Sequence, residues 1–324
     1  MNKGLKLAAL RGDLALPTTW KEVARVEKLF IYPVKSLANI MVDQFNAGVN
    51  GPSKGELVDR QFMVVDKRGK MITARKYPYM SLIVPTVSDG KLLLTYPGMN
   101  DIKVDILNVS SNLSLKVCDV WGEECTGVDL GDLVGEWLSD VILQDQEGGL
   151  RLVFHKDYTS SRPDKEYNEY LTPLEKAGDK PLFADGYPFL LISAPSIKGL
   201  NKMLEDEGVD LEVEETRFRP NIFIDGDFEA FAEDKWTYVK IGECVFRNVK
   251  LCTRCVYTTV DPETGEKDTR GEPLKTLRKF RTSLDKEELK AYGTAPFFGV
   301  NLGLETVGTI NIGDKVMVSS KITI

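Results

Sequence analysis

The sequence comprises 324 residues, 42% hydrophobic and 28% charged, with a formal net charge of −7. That length exceeds what one hydrophobic core ordinarily fills, roughly 250–300 residues, so two domains or one large composite one are expected. The acidic balance excludes a non-specific nucleic-acid binder, which needs a basic surface to release counterions from phosphates, and no run approaches the roughly 20 apolar residues that span a bilayer.

Residues 1–21 read as an N-terminal extension. The apolar stretch there is broken by Lys3, Lys6 and Arg11 and is too short for a signal peptide or an anchor. Residues 26–34, 61–65, 91–96, 113–121 and 150–155 place β-branched and aromatic residues between turn signals and predict strands. Asp89-Gly90 predicts a hairpin turn before the third of these. Residues 131–143 predict a helix with Leu133, Val134, Trp137, Leu138, Val141 and Ile142 on one face. The chain then turns polar from 158 to 183, which predicts a junction between domains at 22–160 and 161–322.

Beyond the junction, residues 189–192, 222–225, 245–251, 309–312 and 315–318 predict further strands. Helices are predicted at 193–207 and 283–292. The first has Ser193 as N-cap, Pro195 in its first turn and Gly208 closing it. The fold class is therefore mainly β with a few helices (α+β). Strands that return after a long excursion predict a barrel rather than a doubly wound parallel sheet.

Five cysteines, Cys118, Cys125, Cys244, Cys252 and Cys255, are too few and too scattered for a disulfide framework. His155 is the sole histidine, which excludes a multi-histidine metal site. Its lone position at a strand end reads as structural or surface. Cys252-x-x-Cys255 admits half a zinc site, a dithiol couple, or two small buried hydrophobes. Zinc lacks a second pair at usual spacing. A dithiol couple lacks a helix start, because 256–260 is a β-branched run. Around the pair stand Arg254 and Thr258-Thr259-Val260-Asp261-Pro262. Further basic motifs are Arg217-Phe218-Arg219-Pro220-Asn221, Tyr32-Pro33-Val34-Lys35-Ser36, Asp59-Arg60 and Thr73-Ala74-Arg75. Lys35, Arg60, Arg219 and Arg254 at strand ends suit a phosphate or another multiply charged anion.

In this order the motifs resemble the MOSC-domain family, and within it the amidoxime-reducing members. The resemblance runs from about 23 to about 318 and includes Glu272-Pro273-Leu274 and Pro296-Phe297-Phe298-Gly299. It implies an N-terminal MOSC β-barrel domain followed by a MOSC β-barrel domain, with Mo-molybdopterin, the molybdenum cofactor, held between them. Cys255 would supply the one protein thiolate to the metal. Lys35, Ser36 and Arg60 match positions that hold the pterin phosphate and ring, and Arg219, Asn221, Thr253 and Arg254 match the remaining contacts. Asp185-Gly186-Tyr187 matches a cofactor loop in which relatives often carry small hydroxyl residues.

The implied reaction is reduction of N-hydroxylated compounds, amidoximes or hydroxylamines, to amidines or amines plus water. Electrons would come from cytochrome b5 and NADH-cytochrome b5 reductase. Asp261 stands as a candidate proton donor or as the cap of the turn at Asp261-Pro262. The implied location is the outer mitochondrial membrane facing the cytosol, with membrane contact only through an anchor absent from this chain; a cytoplasmic protein is the alternative. The rival function is a non-catalytic carrier of the cofactor.

Overall fold

The computed structural model describes residues 16–106, 115–144, 148–155 and 171–319. Seven strands form a closed barrel: β1 (Lys21–Ile31), β2 (Phe189–Ser193), β3 (Ile222–Asp225), β4 (Tyr238–Ile241), β5 (Cys244–Thr253), β6 (Phe297–Thr306) and β7 (Lys315–Ser319). Their order around the ring is β1-β3-β2-β6-β5-β4-β7, and β7 returns to β1. Only β2 and β3 are parallel. The helix Ala194–Asp206 lies between them in sequence and supplies the crossover that parallel neighbours require.

Period-2 alternation explains β1. Ala24 and Val26 are buried while Arg25 and Glu27 are exposed. At the strand's end both faces are covered: Leu29 and Ile31 enter the barrel core, whereas Phe30 and Tyr32 join a layer with Ile197, Leu200 and Phe298. Phe45, Phe189, Phe246, Val300 and Val316 fill the barrel. Phe189 meets Phe246 edge-on at 5.1 Å.

The predicted boundary near residue 160 does not divide the sheets. β1, from the first half, closes a ring whose six other strands come from the second half. Likewise Gly308–Asn311 pairs with Gln44–Gly48. Closure removes the open edges that the C-terminal strands would otherwise present. The remaining first-half strands surround a second core. One antiparallel sheet runs Leu115–Val120, Glu123–Asp129, Leu150–Phe154, Phe62–Asp66; another runs Val84–Ser88, Lys91–Thr95, Ile102–Asp105. The helix Asp132–Leu143 covers them through Val134, Leu138 and Val141.

The helix predicted at 193–207 spans Ala194–Asp206, and Ser193 Oγ accepts from Ser196 N at 3.2 Å. The helix predicted at 283–292 begins later, at Lys286, where Asp285 caps it by accepting from Glu287 N and Glu288 N. The helix Leu274–Arg281 was not predicted, because its sequence LKTLRKFR buries only Leu274, Thr276 and Leu277. Residues 113–114 of a predicted strand and 158–170 of the polar segment lie outside the described residues.

Candidate functional site

A cleft of about 400 Å³ opens where strand ends from both halves of the chain converge. Lys35, Ser36, Arg60, Arg219, Asn221, Thr253, Arg254 and Cys255 all line it, as do Arg75, Trp121, Asp185, Tyr187, Arg217, Lys250, Tyr257 and Asn301. Seven of these side chains are basic (Lys35, Arg60, Arg75, Arg217, Arg219, Lys250, Arg254) and one, Asp185, is acidic. A protein of net charge −7 thus concentrates positive charge in one place.

Backbone conformation aims several of these groups. Ser36, Arg60 and Arg219 adopt left-handed φ values of 70°, 48° and 58°. Each costs a non-glycine residue about 1–3 kcal/mol and persists only where its surroundings hold it. At Arg60, the backbone N–H donates to Tyr32 O at 2.7 Å, and the guanidinium donates to both oxygens of Asp59 at 2.7 and 2.6 Å. At Arg219, the backbone N–H donates to Thr216 O at 3.2 Å. Both guanidiniums lie 4.2 Å from the ring centre of Tyr32.

Asp59 organises this wall. It is 2% exposed. Besides Arg60, its Oδ1 accepts from Tyr32 N at 2.9 Å and from Asn221 Nδ2 at 3.0 Å. Burial raises its pKa, although Arg60 and these donors oppose the rise. Asn221 also donates to Phe30 O and accepts from Leu190 N, so its amide ties β1 to β2. Arg254 donates to Phe298 O at 2.8 and 2.6 Å and to Phe218 O at 2.9 Å. Arg217 donates to Asp261 at 2.7 Å. Lys35 donates to Phe183 O at 2.8 Å and pairs with Asp185.

Three cations stand apart. Arg219 Nη2 is buried with no hydrogen-bond partner among the described residues, and its Nη1 reaches only Tyr257 Oη at 3.4 Å. Arg75 stacks over Trp121 at 4.0 Å, and Lys250 sits 4.3 Å from the ring centre of Tyr292. Neither Arg75 nor Lys250 has a side-chain hydrogen bond or ion pair among the described residues. Burial lowers the pKa of Lys250.

Cys255 follows β5 and caps a 3-10 turn, Val256–Thr259. Its carbonyl accepts from Thr258 N at 3.1 Å and from Thr258 Oγ1 at 2.9 Å, which fixes the residue that carries the thiol. Burial pushes the thiol pKa up, while Arg75 and Arg254 pull it down. No group of three His, Cys, Asp or Glu is placed to hold a metal among the described residues. A structural zinc needs four such ligands, so the zinc reading finds no support here. Cys118 and Cys125 face each other across a hairpin in a separate core with Met63, Val153 and Phe183. A soft thiol in a cationic cleft suits a metal that brings most of its ligands within an anionic group. The orphaned Arg219 Nη2 is where such an anion finds an unused donor.

The structure places several predicted residues differently from their predicted roles. Asp261 is not a lining residue. Its Oδ1 accepts from Glu263 N and Thr264 N and its Oδ2 from Arg217, an arrangement that matches the turn-capping reading. Asn221 and Arg254 line the cleft, but their polar atoms serve the framework. Within the β-branched run 256–260, Val256–Thr259 forms a 3-10 turn. His155 is buried edge-on against Phe183 at 5.5 Å, away from the lining. Sequence reasoning missed the roles of Tyr32, Trp121, Lys250, Tyr257 and Asn301. Trp121 had one signal, the glycine that follows it; φ is positive at both Trp121 and Gly122, in the turn that joins two strands.

Residues 23–145 match the MOSC N-terminal beta barrel domain and residues 178–317 match the MOSC domain. The chain is similar to mitochondrial amidoxime-reducing component 1 of Mus musculus, 36% identical over 91% of this chain and 82% of the relative. It is also similar to the component 1 protein of Homo sapiens, 36% identical over 97% and 90% respectively. To mitochondrial amidoxime reducing component 2 of Bos taurus it is 34% identical over 91% and 83%.

Proposed function

The chain belongs to the MOSC-domain family that includes the amidoxime-reducing components, and from that premise we propose that it is a molybdenum-cofactor-dependent reductase of N-hydroxylated compounds. The carrying observation is the free thiol of Cys255, beside that of Cys252, in a cleft whose basic side chains include the orphaned guanidinium of Arg219. In this reading Cys255 supplies the thiolate to molybdenum, and coordination keeps it deprotonated against the upward push of burial. Arg219 Nη2, Ser36 and Thr253 bind the pterin and its phosphate. Lys35, Arg60, Asn221 and Arg254 hold the surrounding backbone in place.

When bound, Mo-molybdopterin would supply a two-electron centre for N–O cleavage, with two electrons from cytochrome b5 and its NADH-dependent reductase and two protons from solvent giving the amidine or amine plus water. The chain's own part is orientation and charge. Lys35 and Trp121 Nε1, the latter at 2.7 Å, donate to Asp185 at the cleft wall. Desolvation pushes the Asp185 carboxyl up, but Lys35, Trp121 and Arg75 outweigh it and hold the group below the usual carboxylate range. Asp185 is therefore ionised at neutral pH and acts as an acceptor, not a proton donor. Its side chain is 62% exposed, which leaves this part of the cleft open to solvent protons.

The relatives' names support a mitochondrial site of action. We place the protein on the outer membrane facing the cytosol. Among the described residues no helix is long and apolar enough to cross a bilayer, so an anchor would lie outside them.

Elemental analysis and turnover test the function. Purified protein should carry molybdenum near one equivalent and lose it in Cys255→Ser. With NADH, cytochrome b5 and its reductase, it should reduce benzamidoxime. Zinc without molybdenum overturns the reading. Full molybdenum loading without turnover turns the assignment to a cofactor carrier.

A further inference from the structure

Lys250 and Asn301 occupy the cleft without an evident task. They are direct partners across β5 and β6. Both line the cavity, and neither side chain has a hydrogen bond or ion pair among the described residues. A half-buried ammonium without a counter-charge is costly, and a strand-borne amide with unused donors adds to the imbalance. The acidic groups that act on Lys250 from a distance are Cys252, Glu175 and Glu288, and none forms an ion pair with it. Glu175 already accepts from Tyr187 Oη at 3.0 Å. The contact that holds the ammonium is the ring of Tyr292, which steers a cation without neutralising it.

Position separates this pair from the other uncommitted donor. Arg219 reaches Tyr257, two residues after Cys255. Lys250 stands on the strand that leads into Cys255, five residues before it. Lys250 thus approaches the thiol through its own strand, and Arg219 through Tyr257. In the reading above, the cofactor phosphate would be met by Arg219.

We propose that Lys250 and Asn301 form a substrate subsite that takes a carboxylate or phosphate substituent of the N-hydroxylated compound. The substrate class is then acidic N-hydroxy compounds, an inference that rests on the reductase reading above. Product chemistry agrees. An amidine carries a positive charge, which a cleft lined with cations repels. A substrate bringing its own anion is held by Lys250 during the reaction, and its reduced end is driven off afterwards.

Binding and turnover test this separately. Benzoate and benzamide serve as binding probes for the full-length, molybdenum-loaded protein, followed by saturation-transfer NMR. Benzoate should bind about tenfold tighter than benzamide. Lys250→Met should abolish that preference, Lys250→Arg should keep most of it, and Asn301→Leu should reduce it. In the reductase assay, Lys250→Met should lower the ratio of kcat/KM for 4-carboxybenzamidoxime to that for benzamidoxime about tenfold, chiefly through KM. A preference that is absent in the wild type, or that survives Lys250→Met, overturns the subsite. A fall in molybdenum content in Lys250→Met, with equal loss for both substrates, assigns Lys250 to the cofactor and also overturns it. If the wild type reduces neither amidoxime while its benzoate preference still depends on Lys250, the anion subsite stands and the reductase reading fails.

Discussion

Among the residues that line the cleft, Arg60 and Asn221 donate to Asp59, and Arg254 clamps the carbonyls of Phe218 and Phe298. Lys250 and Asn301 line the same cavity, and their side chains hydrogen-bond to no described residue. The residue types are the same; the partners differ. A basic residue whose donors all meet carbonyls and carboxylates is part of the frame. One without them is available to a ligand. Removing a frame residue should therefore show first in stability, and removing an available one should show first in binding.

The most severe break is at Asp59. Asp59→Ala leaves Arg60, Asn221 and the Tyr32 N–H without their shared acceptor in a buried site. Losing one partner of such a network costs about 3–5 kcal/mol, readable as a lower urea midpoint at unchanged slope. Arg254→Met comes next. It leaves two buried carbonyls without a charged donor, at about 2–3 kcal/mol. Lys250→Met is the contrast: it removes an unpaired, half-buried ammonium, so stability should not fall and should rise by up to about 1 kcal/mol in the same titration. If Lys250→Met destabilised the protein as much as Arg254→Met, the distinction between frame and available residues would collapse.

A further effect concerns pH. Because the Asp185 carboxyl is held below its unfolded value, its stabilisation is fully present above about pH 4 and is lost as pH falls through the folded value. Solvent screening of an exposed carboxylate keeps the gain below about 1 kcal/mol. Asp185→Asn should flatten that part of the acid limb and leave the neutral region nearly unchanged, as thermal melts between pH 3 and 7 would record.

Much of this frame was legible in the sequence. Alternation marked the strands, and Ser193 and Gly208 marked the ends of a helix. The basic motifs at strand ends marked the cleft. What was illegible depended on partners far along the chain. Asp59 reads as an ordinary acid beside an arginine until Asn221, 162 positions later, meets it. Nothing local separates Arg254, which braces, from Lys250, which does not. The turn after Cys255 was misread for a different reason. Thr258 and Thr259 favour strands on average, yet here their hydroxyls donate to the carbonyls of Cys255 and Val256 at 2.9 and 2.8 Å. Such local side-chain bonding competes with a ladder and stabilises a turn. Asp261 follows the same pattern, since its carboxylate serves the next turn and Arg217.

The closure of β1 against β7 has a consequence for the protein's birth. β1 leaves the ribosome early and must wait for residues 315–319 before its outer edge is paired. At about 5–20 residues per second, that wait lasts on the order of tens of seconds. During it, the unpaired backbone edge of Lys21–Arg25 is exposed to other nascent chains. Ring closure at such sequence separation is slow in itself. Capture of the proposed cofactor would then be a late event, because Lys35, just after β1, and Cys255, which follows β5, line one cleft only once the ring is shut.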